Sequence, residues 1–104
     1  SQGASIIFTS SGVGRQARAF WGAYSASKFA TEAISGILAA ELETDGIRVN
    51  CVNPGATNTK MRRAAFPGES PESIASAASL VPAYVFLLSE QAKGIHGASI
   101  DLQK

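Results

Sequence analysis

Tyr24 and Lys28 stand four residues apart in the stretch WGAYSASKFATEAISG, Trp21 to Gly36. Helical positions i and i+4 lie about 40° apart on one face with roughly 6 Å between Cβ atoms, so the ammonium reaches the phenol. A free phenol ionises near about pH 10, too high for a base at neutral pH, and an adjacent ammonium favours the phenolate. Such a pair suits proton transfer to or from a substrate oxygen. Ser10 and Ser11, closing the run ASIIFTSS, offer hydroxyls to hold a carbonyl or alcohol oxygen against Tyr24. The hydride that completes such a reaction must come from a cofactor, because no side chain carries one.

These residues need elements to bring them together. Ala4 to Ser10 is a short, continuous apolar run with β-branched residues, the pattern of a strand buried on both faces. From Trp21 to Thr44, Phe29, Ala33, Ile37 and Ala40 recur at helical spacing, with Ile34, Leu38 and Leu42 one turn shifted. Gly46 stands where a glycine would stop that helix. Ile47 to Asn53 is a second β-branched run, closed by Pro54 and Gly55, which cannot continue a central strand. Strand, helix and strand with short joints predict parallel strands and a right-handed crossover. The ends of both strands and the start of the helix then open onto one edge, where ligands of open α/β sheets bind. Ser10, Ser11, Tyr24, Lys28 and the Pro54-Gly55 turn all fall there.

After Pro54 the chain is rich in Gly, Pro, Ser and Ala as far as Ser79, with short helical patches expected near Lys60 to Ala65 and Pro71 to Ala78. SLVPAYVFLLSE reads as a mostly buried helix that tolerates Pro82 in its first turn. GASIDL, Gly97 to Leu102, reads as the last strand.

The bulk properties bound the function. The chain of 104 residues suffices for one small domain, and its 16% charged residues and net charge of +1 give no reason to expect nucleic acid or an anionic membrane as partner. Its longest apolar run, Leu80 to Leu88, falls short of the ~20 residues that span a bilayer. The start has no basic region of a signal peptide. The lone Cys51 cannot form an intrachain disulfide, and no Cys/His cluster has metal-ligand spacing, so no structural metal is expected and the cytoplasm is the expected compartment.

TSSGVGRQARAFWGAYSASKFA followed by RVNCVNPGATNTKM resembles the later half of a short-chain dehydrogenase/reductase, with its Ser, its Tyr-x-x-x-Lys and its Pro-Gly-x-x-x-Thr turn. The family's serine precedes its tyrosine by 13 positions, which selects Ser11 over Ser10 and favours the compact, non-extended branch. The stretch TKMRRAAFPGESPES resembles a bacterial subgroup of uncharacterised oxidoreductases of the YciK type. The resemblance implies an α/β fold, a Rossmann-like, doubly wound parallel sheet of which residues 1–104 form the C-terminal portion. It implies Tyr24 as acid/base, Ser11 orienting the substrate oxygen, and Lys28 supporting the phenolate and hydrogen-bonding the nicotinamide ribose. It further implies Pro54, Gly55 and the backbone of Thr57 around the nicotinamide, with Thr59 near the cofactor's amide or phosphates. NADP or NAD is the implied cofactor, a small carbonyl or alcohol the substrate, and a homodimer or homotetramer the assembly.

The family's glycine-rich dinucleotide turn is not matched, because SSGVGRQA lacks the third glycine and its βα setting. An alternative expectation is therefore a catalytically incompetent fragment with an interaction or structural role. An unpaired strand edge and uncovered helix faces favour association. Other residues read as structural: Phe20 and Trp21 as packing at a helix entrance, Cys51 as a small buried hydrophobe, His96 as solvated, and Arg62 and Arg63 as an exposed face.

Overall fold

The computed structural model describes residues 3–11, 22–55, 57–58, 68 and 75–103. The elements run β1 (Ser5–Thr9), α1 (Gly22–Leu42), β2 (Arg48–Asn53), β3 (Thr57–Asn58), β4 (Ala75–Ser76), α2 (Ala77–Leu88) and β5 (Ser99–Asp101), with single turns of tighter helix at Glu43–Asp45 and Glu90–Ala92. This is the α/β, Rossmann-like parallel architecture that the sequence predicts. β1, β2 and β5 form a sheet in the order β1-β2-β5, with β2 central and both pairings parallel. Ser5 to Thr9 pair with Arg48 to Val52, and Cys51 to Asn53 pair with Ser99 to Asp101.

Burial is greatest on β2, where Val49 and Val52 are fully covered and Cys51 is 2% exposed. Successive side chains of a strand point to opposite faces, so the two helices divide them. Ile7, Val52 and Ile100 pack with Tyr84, Leu87 and Ala92 on the α2 side. Ser5 Oγ donates to the Leu87 carbonyl on that same side, at 3.3 Å. On the opposite face Ser99 of β5 donates to Glu32 Oε1 of α1 at 2.9 Å.

α1 meets the sheet with a line of small residues. Ser25, Ser35 and Ala39 are its buried positions, while the apolar residues Phe29, Ile34 and Ile37 are exposed, Ile37 by 58%. The periodic apolar stripe thus lies largely outside the contact, because small side chains let the helix come close to the strands. The stop signal is where the sequence places it. Gly46 adopts a left-handed φ of 69°, and its N–H donates to Glu43 O at 3.3 Å.

Three features differ from expectation. Residues 71–74 of the helical patch expected at Pro71 to Ala78 lie outside the described residues, and Ala75–Ser76 within it pairs in parallel with Thr57–Asn58 just before α2 begins at Ala77. Its cap is Ser76, whose hydroxyl accepts the Ser79 N–H at 3.2 Å, so Pro82 falls in the second turn and forgoes one helix hydrogen bond. α2 is also far from mostly buried. Leu87 is 4% exposed, but Val81, Val85, Phe86 and Leu88 lie open because the sheet covers one side of an all-round apolar helix. The patch expected at Lys60 to Ala65 lies outside the described residues.

Candidate active site

Tyr24 and Lys28 occupy the first two turns of α1, both half-buried. The Lys28 ammonium stands 5.6 Å from the centre of the Tyr24 ring, within cation–π range. Hydroxyls in these first turns bond back to the helix: Ser27 Oγ donates to Tyr24 O at 2.7 Å and Thr31 Oγ1 to Ser27 O at 3.0 Å.

The same ammonium donates to the carbonyl of Thr9, the last residue of β1, at 3.2 Å. Ladder bonds explain why that carbonyl is available. Ala4 O accepts from Arg48 and Ser10 N donates to Val52 O at 2.7 Å, so the backbone groups of even-numbered residues of β1 face β2 and those of Thr9 face away from it. Ser10 is 3% exposed and its hydroxyl turns to the Ser11 carbonyl at 3.4 Å. Ser11 follows, half-buried. The fold therefore brings Tyr24 and Lys28 together, and brings Lys28 to the strand end that continues into Ser11.

The second strand ends in a braced turn at the same C-terminal end of the sheet, since Val52 is the register partner of Thr9. Gly55 has a φ of 81°, and its N–H donates to Asn53 Oδ1 at 3.0 Å. Asn53 Nδ2 in turn donates to Asp101 Oδ1 at 3.0 Å, and Gln103 Nε2 donates to the Pro54 carbonyl at 2.7 Å. Pro54 and Gly55 are thus fixed from β5. The backbone of Thr57 is held in β3 against Ala75. Thr59, Arg62, Arg63, Phe20 and Trp21 lie outside the described residues.

Sequence reasoning missed several partners. Thr9 and Tyr84 share a hydrogen bond of 3.1 Å between hydroxyls across 75 positions, and neither belongs to a motif. His96 is half-buried rather than solvated. Its Nδ1 accepts the Val49 N–H at 3.1 Å and its Nε2 lies 2.9 Å from the Ala39 carbonyl, so Nε2 carries the proton and the ring ties α1 to β2. The fully buried Asn50 donates to Ile95 O and accepts from Ala98 N, holding the loop before β5. Arg48 donates to the carbonyls of Leu87 and Ser89 at 3.0 and 3.1 Å, which closes the end of α2. Cys51 is buried as expected. Among the described residues no group of three His, Cys, Asp or Glu side chains is placed to hold a metal. No helix among the described residues is long and apolar enough to cross a membrane.

A parallel sheet, a Tyr-x-x-x-Lys helix start beside a serine-bearing strand end and a Pro-Gly turn are joined by a direct family match. The model of the family described as short chain dehydrogenase matches residues 1–70, and the chain belongs to that family. Within it, the chain is 48% identical over 103 residues to the uncharacterized oxidoreductase YciK of Escherichia coli strain K12, covering 99% of this chain and 40% of that protein. A short chain dehydrogenase from Salmonella enterica serovar Typhi superposes with a TM-score of 0.92 at 47% identity, over 96% of this chain and 41% of that one. One from Escherichia coli CFT073, complexed with NADPH, superposes with a TM-score of 0.89 at 48% identity, over 94% and 40%. The YciK-like bacterial subgroup is thus the part of the family this chain resembles, and the chain spans about 40% of the length of these relatives.

Proposed function

We propose that this chain carries the catalytic residues of an NAD(P)-dependent oxidoreductase acting on a small carbonyl or alcohol, as the C-terminal portion of one NAD(P)-binding domain. The observation that carries this reading is the Lys28 ammonium, set beside the Tyr24 ring and bonded to the strand end that leads to Ser11. In carbonyl reduction Tyr24 Oη gives a proton to the substrate oxygen, and in alcohol oxidation it takes one. Ser11 donates a hydrogen bond that holds the same oxygen. Lys28 stands 5.6 Å from the Tyr24 ring centre and has further N–H donors for ribose hydroxyls.

A bound nicotinamide supplies or accepts the hydride, so that carbonyl, hydride and the Tyr24 proton together give the alcohol. The residues present suit that half of the cofactor. Pro54 and Gly55 form a rigid turn at the same edge as Lys28, with the Thr57 backbone and Thr59 following it. The relative complexed with NADPH supports a nicotinamide dinucleotide, NADP or NAD, as the group bound. The buried, lone Cys51 suits the cytoplasm.

The exposed residues Phe29, Ile34 and Ile37 on α1 support a homo-oligomer, dimer or tetramer, built through that helix. A second reading, an interaction or structural role without catalysis, is favoured by the exposed Val81, Val85 and Leu88 of α2.

Calorimetric titration of NADPH and then NADH separates the two. The enzyme reading expects binding by the protein that joins this segment to a dinucleotide-binding half, and weaker binding after Lys28→Met. No binding of either cofactor by that protein leaves the interaction role.

A further inference from the structure

We infer that Tyr84, which the proposed chemistry does not use, is a positioning residue for the end of β1 that carries Ser11. The inference rests on the reading of Ser11 as the group that orients the substrate oxygen. Tyr84 lies half-buried on α2 and packs with Ile7, Val52 and Leu87 on the sheet face opposite α1. Its hydroxyl stands 3.1 Å from Thr9 Oγ1.

Thr9 is where the two sides of the sheet meet. Its side chain points to α2, while its carbonyl, turned away from β2, accepts from Lys28 of α1 at 3.2 Å. One residue further, Ser10 N donates to Val52 O at 2.7 Å. The strand end is thus gripped from α2 by a phenol, from α1 by an ammonium and from β2 by the ladder. Ser11 hangs from the next peptide unit, so its hydroxyl is only as well placed as Thr9 and Ser10 are. A shift of about 1 Å at a reacting atom costs on the order of 100-fold in rate, and one lost neutral hydrogen bond permits a smaller one. The expected effect is about fivefold to tenfold.

Four variants test this: Tyr84→Phe, Thr9→Val, the two combined, and Thr9→Ser. In the protein that joins this segment to a dinucleotide-binding half, amide hydrogen exchange is measured at Ser10 and at Cys51, whose N–H bonds to Ala98 O at 2.8 Å and serves as the reference. In the same protein, kcat and the KM for NADPH are measured in parallel. Tyr84→Phe and Thr9→Val are expected to raise Ser10 exchange and lower kcat by about fivefold each, with the double variant no worse and Thr9→Ser within about twofold of the parent. Cys51 exchange and the KM for NADPH stay unchanged.

Unchanged Ser10 exchange in both single variants overturns the inference, as does an equal rise at Cys51, which marks a general loss of stability. Loosened Ser10 with Cys51 intact, in a protein that turns over no carbonyl, leaves the Tyr84 clamp standing and defeats the oxidoreductase reading alone.

Discussion

Gln103 braces Gly55 so closely that a Cβ on residue 55 would stand 2.9 Å from both Cβ and Nε2 of Gln103. The contact and the φ of 81° act together, since left-handed backbone is costly for any residue with a Cβ. Gly55→Ala is expected to destabilise the fold by about 1–3 kcal/mol, seen as a lower denaturation midpoint in urea with an unchanged slope. An unchanged midpoint would mean that the turn yields freely and does not fix the Pro54 carbonyl.

His96 bridges two elements that no local sequence pattern links. His96→Ala leaves the N–H of Val49, a fully buried residue, without its acceptor, and the expected loss is about 1–3 kcal/mol. Hydrogen exchange checks the mechanism as well as the magnitude: the Val49 amide should lose protection more than the Cys51 amide beside it.

Ile37 is 58% exposed on the side of α1 away from its buried positions, one turn after the exposed Ile34. Placing a carboxylate there by Ile37→Glu leaves the sheet contact untouched but charges the apolar face. Sedimentation velocity is expected to show a smaller species for Ile37→Glu than for the parent at equal concentration. Equal sizes would remove α1 as the interface.

What the sequence made legible was local. The Tyr24 and Lys28 pair follows from helical spacing, Ser10 and Ser11 from their place after a β-branched run, the choice of Ser11 between them from the family resemblance alone, and the Pro54-Gly55 turn from the backbone limits of those two residues. What it hid depends on elements far apart in the chain. The Thr9–Tyr84 and His96–Ala39 contacts join residues 75 and 57 positions apart, with no spacing to announce them. The faces of α1 misled for a different reason. The apolar periodicity runs through Phe29, Ile34 and Ile37, which lie exposed among the described residues, whereas close packing on the sheet selects Ser25, Ser35 and Ala39. Pro82 shows the same limit, because the cap at Ser76 and not the proline sets where α2 begins.

The claim that Tyr24 transfers the proton is tested most directly by replacing it with phenylalanine, which keeps the ring beside Lys28 and removes only the hydroxyl. NADPH- and NADH-dependent turnover of small aldehydes and ketones is followed by absorbance, in the protein that joins this segment to a dinucleotide-binding half. Tyr24→Phe is expected to fold normally and to lose at least about 100-fold in kcat/KM. Turnover retained within a few-fold would contradict it and move the acid/base role to another residue.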